Sequence, residues 1–157
     1  TDFRAVMPSN LYGQNDNYDS LNSHVLAALI KKIFLAKKQN KKSFIVWGTG
    51  KPKREFLHVD DLADASIFLM NNYDGKDIVN VGWGEDISIR DLAFFIKEVS
   101  GFEGELNFDL TKPDGTPRKL LNTDRIHELG WKPKIKLREG IKKTIDDFIN
   151  NEKTYCF

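Results

Sequence analysis

The chain contains a single cysteine, Cys156, next to its C-terminus. No disulfide can therefore form within the chain, and this sparse use of cysteine is typical of a reducing compartment. No apolar run approaches the roughly 20 residues that a membrane-spanning helix needs, and the N-terminus lacks the basic and then apolar layout of a signal peptide. These absences predict a cytoplasmic protein with no membrane partner.

An excess of charge of one sign is also missing. The sequence has 24 basic and 23 acidic residues and a formal net charge of +1. This balance argues against a polyanion-binding tail and against an acidic disordered domain. The sequence also contains no residues at metal-ligand spacing, no P-loop, no nucleophile elbow and no RNA-binding motif of alternating basic and aromatic residues. We therefore expect neither a metal nor nucleic acid among the ligands.

The hydrophobic patterns that are present alternate between strand and helix periods, which predicts a mixed α/β protein. The predicted strands cover residues 3–7, 43–48, 55–59, 77–82 and 106–108. The predicted helices begin near residues 22, 60, 88, 123 and 137. The first strand is short and apolar, so we expect neighbours on both sides of it, as in a buried parallel sheet. Because the sequence enters this strand without an initiator Met, we also expect it to be a piece of a longer protein.

Residue types at the ends of these elements predict their boundaries. Polar residues at the helix starts are the expected N-caps: Asn22 or Ser23, Asp60 or Asp61, and Ser88 with Asp91. Asn40 and Gly101 should end the first and third helices. Residues 8–21, rich in Asn, Asp, Gly and Ser, are predicted to form a long loop. The last helix should turn four apolar residues inward: Ile141, Ile145, Phe148 and Ile149.

Positive charge is concentrated in one part of the sequence. Nine Lys or Arg and no Asp or Glu lie between Lys31 and Arg54. Loop lysines such as those of residues 37–42 usually only keep a chain soluble. Arg54 differs, because it stands between a proline-containing turn and the apolar Phe56, where a fixed planar guanidinium suits phosphate recognition. Trp47 is either a flat platform for a base or sugar beside that turn, or a core tryptophan.

Two further places could carry chemistry. His24 lies near the predicted start of a helix, where the helix dipole would favour a neutral imidazole, although a lone histidine is more often structural. The loop "KPDGTPRKLL" places Asp114, an acceptor for sugar hydroxyls, before the cations Arg118 and Lys119. Taken alone, this loop is only a stiff turn.

The stretches "PSNLYG", "DNYDSLNSHV", "VWGTGKPKREFLHVDD", "NVGWGEDISIRDLA" and "KPDGTPRKLL" together resemble the C-terminal half of the GDP-L-fucose synthases. These are the 3,5-epimerase/4-reductases of the extended short-chain dehydrogenase/reductase family, and the resemblance runs essentially end to end. "REFLHVDD" alone is shared by many nucleotide-sugar epimerases and dehydratases. The resemblance implies one or more residual strands of a Rossmann-type domain in residues 1–22 and a small mixed α/β substrate-binding domain in residues 23–157.

The resemblance also implies roles for individual residues. Segment 8–11 (Pro8, Ser9, Asn10 and Leu11) would touch the nicotinamide end of NADP(H), with Ser9 where the family often has Thr. His24 would be the general acid of epimerisation, close to the same cofactor. The residues expected to hold a GDP-sugar are Lys32, Trp47, Arg54, Asp114 and, as an additional phosphate contact, Lys119. Where Lys32 stands, members of the family can carry Arg, which keeps the charge but changes the geometry.

Some features of the family are not found. The sequence has no glycine-rich dinucleotide fingerprint and no Tyr-x-x-x-Lys pair, so we expect a chain that is inactive alone and binds NADP(H) mainly through another half. The resemblance also implies a homodimeric parent protein. Two alternatives remain: the C-terminal half of another nucleotide-sugar epimerase or dehydratase, and a non-enzymatic basic module that binds polyanions.

Overall fold

The computed structural model describes residues 3–19 and 22–155. The helices over these residues are α1 (Val25–Lys38), α2 (Val59–Asn72), α3 (Ile89–Ser100), α4 (Asp124–Glu128), α5 (Leu137–Asn150) and α6 (Glu152–Tyr155). The strands are β1 (Val6–Pro8), β2 (Asn10–Tyr12), β3 (Ser43–Trp47), β4 (Lys53–Arg54), β5 (Phe56–His58), β6 (Val79–Val81), β7 (Ile87–Ser88), β8 (Glu105–Asp109) and β9 (Arg118–Lys119). The predicted α/β class is confirmed.

The strands pair mostly in parallel. β1 pairs with β6, β2 with β5 and β3 with β8, each pair parallel. The fourth sheet has the order β7-β4-β9, in which β4 is antiparallel to β7 and parallel to β9. Its register places Arg54 opposite Ile87 on one side and opposite Lys119 on the other. Parallel pairs joined through helices, together with one mixed sheet, give the α/β arrangement that the sequence pattern predicts.

The N-terminal segment differs from its prediction. β1 begins at Val6 rather than at Phe3, and over the described residues its strand partner is β6 alone. The predicted loop of residues 8–21 contains β2, and its last two positions lie outside the described residues. The polar residues around β2 gave no strand pattern, because Tyr12 is the only residue of β2 that is fully buried. The ring of Tyr12 lies 5.3 Å from that of His58.

The first two helices begin one to three residues away from their predicted caps. The N-cap of α1 is His24, not Asn22 or Ser23, and its side chain makes no capping hydrogen bond. The N-cap of α2 is His58 rather than Asp60 or Asp61, and its Nδ1 accepts the Asp60 N–H at 3.2 Å. An imidazole that accepts a backbone N–H can replace the usual short polar cap, which residue preferences alone do not reveal.

The third and fifth helices follow the sequence prediction closely. Ser88 caps α3 by accepting the Asp91 N–H, and Gly101 ends the helix in the left-handed region at φ 64°. α5 begins at the predicted residue, Leu137, but only three of its four predicted inward residues are buried. Ile149 is 49% exposed, so its placement in the core was wrong. One helix position beyond Phe148 turns the side chain about 100° away, towards solvent.

Two apolar clusters hold these elements together. The larger joins α1, α3 and α5 with β3 and contains the buried side chains of Ile33, Ile96 and Phe148. The smaller joins β1, β5 and β6 with α2 and α4, around Leu57, Val81 and other buried residues. In the described part of the chain no helix has the length and hydropathy needed to cross a bilayer. The domain division at residue 22 stays a prediction.

We expect acid to destabilise the protein through His58. Burial lowers the pKa of this side chain below 6.5, an effect that the charges of Asp60 and Asp61 partly offset. His58 therefore binds a proton more readily in the unfolded chain than in the folded chain. The free energy of unfolding consequently decreases as the pH falls below about 6.5. The free energy of unfolding in urea, measured from about pH 7.5 to 5, should fall in the wild type. It should fall less in His58→Asn, which keeps a capping acceptor that does not titrate, and equal slopes would contradict this role.

Candidate functional site

Three of the predicted substrate residues line one cavity of about 200 Å³, the Trp47 cavity. Its walls come from the end of β3, from the turn before β4, and from the loop before β9, and they include Trp47, Arg54 and Asp114. A neighbouring cavity of about 250 Å³ shares Val25, Trp47 and Ile89 and adds Lys32. Four candidate residues that are far apart in sequence are therefore brought together around one ring.

Arg54 lies at the edge of the Trp47 cavity with its guanidinium held in place. Its Nη1 donates to the carbonyl oxygen of Thr116 at 2.6 Å and to that of Lys53 at 2.7 Å. Within the described residues, Nε and Nη2 donate no hydrogen bond to the protein. A guanidinium carries five N–H donors in a rigid fork, so donors remain for an anionic ligand.

Trp47 is 60% exposed, which excludes the alternative of a core tryptophan. The ammonium of Lys32 lies 4.6 Å from the centroid of the indole, and that of Lys112 lies 5.4 Å from it. These distances are within the range of cation–π contacts. Burial lowers the pKa of Lys32. The indole is therefore an exposed aromatic surface with two ammonium groups close to it.

Asp114 connects its loop to the turn that follows β3 through two hydrogen bonds. Its Oδ1 accepts the Thr49 N–H at 2.8 Å, and its Oδ2 accepts the Thr49 hydroxyl at 2.6 Å. These hydrogen bonds hold the pKa of Asp114 below its usual range. Gly48 has φ 77°, and a Cβ there would lie 2.3 Å from Oδ1. The close approach therefore requires a glycine at 48, and the carboxylate keeps lone pairs for a further donor.

A second cavity, the Ser9 cavity, lies beside segment 8–11 and β9. It has a volume of about 370 Å³, and its lining contains Pro8, Ser9, Asn10, Glu55, Lys119, Leu120 and Leu121. Three of the five predicted cofactor residues, Pro8, Ser9 and Asn10, therefore lie with Lys119. The Ser9 hydroxyl is buried and has no hydrogen-bond partner among the described residues. Leu11 lies outside this lining and packs against the smaller apolar cluster.

His24 is exposed at the start of α1 and is not part of either lining. Its chain neighbours Ser23 and Val25 line the cavity beside Lys32. Burial raises the pKa of Asp16, and this is partly offset by a hydrogen bond from Asn17 and by the charge of His24. The imidazole is therefore exposed, and His24 is flanked in the chain by two residues that line the cavity beside Lys32.

Sequence reasoning missed Glu55 and Thr49. Glu55 is buried, and its backbone oxygen accepts the Asn10 amide at 2.7 Å, so it lies between segment 8–11 and Arg54. Its place inside "REFLHVDD", directly after Arg54, was the available signal. Thr49 lacked one, because its importance comes from contacts with Asp114, which is 65 residues away. No group of three or more potential metal ligands occurs among residues 3–19 and 22–155.

The chain is similar to curated GDP-L-fucose synthases over most of its length. The chain is 54% identical over 145 residues to GDP-L-fucose synthase 1 of Arabidopsis thaliana, covering 92% of this chain and 45% of that protein. It is 46% identical over 163 residues to the GDP-L-fucose synthase of Escherichia coli (strain K12), covering 98% and 51%. The chain thus spans about half the length of the curated relatives it matches, and the resemblance predicted from the motifs is confirmed.

A solved structure supports the fold class. The crystal structure of a GDP-L-fucose synthetase from Naegleria fowleri bound to NADP superposes with a TM-score of 0.91 at 31% identity, over 97% of this chain and 48% of that one. The sequence profile of the NAD dependent epimerase/dehydratase family matches residues 1–82, from β1 through the parallel strand β6. Because that match covers more than half of the sequence, the chain belongs to the NAD dependent epimerase/dehydratase family.

Proposed function

We propose that this chain forms the nucleotide-sugar-binding part of a GDP-L-fucose synthase. Such an enzyme converts GDP-4-keto-6-deoxy-D-mannose to GDP-L-fucose by epimerisation at C3 and C5 and NADPH-dependent reduction at C4. The observation that carries this proposal is the convergence of Trp47, Arg54 and Asp114 on one cavity, with Lys119 opposite Arg54 in the sheet. A cytoplasmic location and a homodimeric parent are parts of the same proposal.

The charges of the site suit a nucleoside diphosphate sugar. The open N–H donors of Arg54 and the ammonium of Lys119 would face the diphosphate, since charge-assisted hydrogen bonds to phosphate are the strong ones. The exposed indole of Trp47 offers a stacking surface for the base. Asp114 retains acceptor capacity for ribose hydroxyls beside its bonds to Thr49. Holding these remote groups would orient the sugar for reaction.

The Ser9 cavity would hold one end of a nicotinamide cofactor. Its unpartnered Ser9 hydroxyl can donate and accept, and Lys119 adds a positive charge. NADPH, when bound, supplies the hydride that reduces the C4 ketone. Within this chain, Ser9 would bind the cofactor, while Asn10, whose amide donates to the Glu55 carbonyl oxygen, would fix the backbone of the segment.

His24 would move protons during epimerisation. Hydrogens on the carbons beside a ketone are acidic, so a base can remove one and an acid can return a proton to the opposite face. An imidazole can do the latter near neutral pH. What supports this role is that His24 is exposed and that its chain neighbours Ser23 and Val25 line the cavity beside Lys32. The absence of a Tyr-x-x-x-Lys pair from the 157 residues supports a further part of the proposal, that the chain alone does not oxidise NADPH.

The proposal is tested by titrating the 157-residue chain with GDP in a calorimeter. We expect saturable binding with one site, and weaker binding of UDP, whose smaller base covers less of the Trp47 indole. The alternative of a polyanion-binding module instead predicts affinity for any polyanion that falls steeply with salt. Equal affinity for GDP and UDP would favour another nucleotide-sugar enzyme, and no binding of either nucleotide would contradict the proposal.

A further inference from the structure

Glu55 is a buried carboxylate beside the candidate site. It is 1% exposed and lies between Arg54 and the Ser9 cavity, which it helps to line. Burying a carboxylate is unfavourable unless its oxygens are hydrogen-bonded. Here Oε1 accepts the Gly84 N–H at 2.7 Å, and Oε2 accepts the Leu121 N–H at 3.0 Å. The two oxygens therefore bind the backbones of two separate segments.

The first of these segments is β9 and its exit. The Glu55 N–H donates to the carbonyl oxygen of Lys119 at 3.3 Å, and its carboxylate accepts the N–H of Leu121. Glu55 thus holds the backbone from Lys119 to Leu121 at both ends. β9 is only two residues long and exposed. A strand this short has little stability of its own. The direction in which the Lys119 side chain points from the sheet therefore depends on these contacts.

The second segment is the turn of residues 82–86, between β6 and β7. Besides the Gly84 N–H, this turn presents Gly82, where an added Cβ would lie 2.2 Å from Oε1 of Glu55. The same turn carries Asp86, which pairs with Arg118 of β9. The turn and β9 are therefore joined twice, once by an ion pair near the surface and once by the buried carboxylate.

We propose that Glu55 is a positioning residue for diphosphate binding. Its carboxylate holds residues 119–121 so that Lys119 stands beside Arg54, and the two cations then act on the same anion. This inference rests on the proposed function. Glutamine cannot replace the carboxylate, because its amide NH2 would face one of the two backbone N–H groups and leave that donor buried without a partner.

The test compares GDP binding by the wild-type chain, by Glu55→Gln and by Asp61→Asn. Asp61 is a matched control, because it is also buried and also accepts two backbone N–H groups, those of Lys134 and Ile135, each at 3.0 Å. These partners line neither the Trp47 cavity nor the Ser9 cavity. We expect Glu55→Gln to weaken GDP binding about tenfold, whereas Asp61→Asn lowers stability and leaves GDP affinity within about twofold.

A double-mutant cycle with Lys119→Met separates positioning from general loosening. If Glu55 acts through Lys119, the loss caused by Glu55→Gln should shrink to less than about twofold in the Lys119→Met background. An undiminished loss in that background, or no loss in Glu55→Gln alone, overturns the inference. If Glu55→Gln does not fold, Gly82→Ala displaces the same carboxylate, and unchanged affinity in that variant overturns it too. Failure of the wild-type chain to bind GDP would instead refute the proposed function.

Discussion

Replacing Arg54 by alanine is expected to weaken GDP binding about 100-fold. The guanidinium is fixed at the edge of the Trp47 cavity by bonds from Nη1 to two carbonyl oxygens, of Lys53 and Thr116. Removing it leaves the phosphates without a preorganised donor and also frees the loop that Thr116 belongs to. Calorimetric titration of folded wild-type and variant chains measures the loss directly, with thermal unfolding as the check on folding.

Two further variants test whether the loss is specific to the Arg54 guanidinium. Lys53→Ala removes the same charge from the preceding position of β4, whose side chain points to the other face of the sheet. It should change GDP affinity by less than about threefold, because an exposed charge is screened by salt. Arg54→Lys keeps the charge and loses the fork, so its affinity should lie in between. Equal losses in Arg54→Ala and Lys53→Ala would indicate a general charge effect and contradict a specific phosphate site.

The largest effect on stability is expected from Phe148→Ala, which should cost about 3–5 kcal/mol of unfolding free energy. Phe148 of α5 is fully buried in the larger apolar cluster. Its ring centroid lies 4.5 Å from that of Tyr18, 5.1 Å from that of Phe34 and 5.8 Å from that of Tyr155. Truncation would leave a cavity that three neighbouring rings cannot easily close. Urea unfolding of the variant and the wild type measures the difference.

Ile149→Ala is the matched control, since it is the next residue on the same helix. Its side chain is half-exposed, so its truncation should cost less than about 1 kcal/mol. A similar cost for the two substitutions would mean that α5 does not present Phe148 to the core as described here.

Local signals in the sequence predicted the elements that depend on local interactions. α3 carries a Ser88 cap, an acidic Asp91 in its first turn and a Gly101 stop, and these are short-range features of the chain. The same holds for β3, a run of apolar residues that ends in a glycine turn. Capping and turn chemistry act within about four residues, so they can be read from one sequence.

Elements that depend on distant partners were missed or misplaced. β2 exists because Asn10–Tyr12 pairs with Phe56–His58, some 46 positions away in the register. The α2 cap depended on the burial of His58. Neither of these has a local signal, since register and packing are set by long-range contacts.

The residues of the candidate site also fall into those that the sequence predicted and those that it did not. The motifs predicted Trp47, Arg54 and Asp114, and the structure brings these three together in one cavity. They did not predict that Asp114 bonds to Thr49 or that Glu55 joins β9 to the turn of residues 82–86. Residue types can indicate which groups bind a ligand, whereas the groups that hold them in place are found only when the fold is known.

The most direct test of this account is a crystal structure of the 157-residue chain grown with GDP. We predict that the diphosphate lies between the Arg54 guanidinium and the Lys119 ammonium, with the guanine against the indole of Trp47 and a ribose hydroxyl donating to Asp114. GDP bound elsewhere on the chain, with the Trp47 cavity empty, would contradict it.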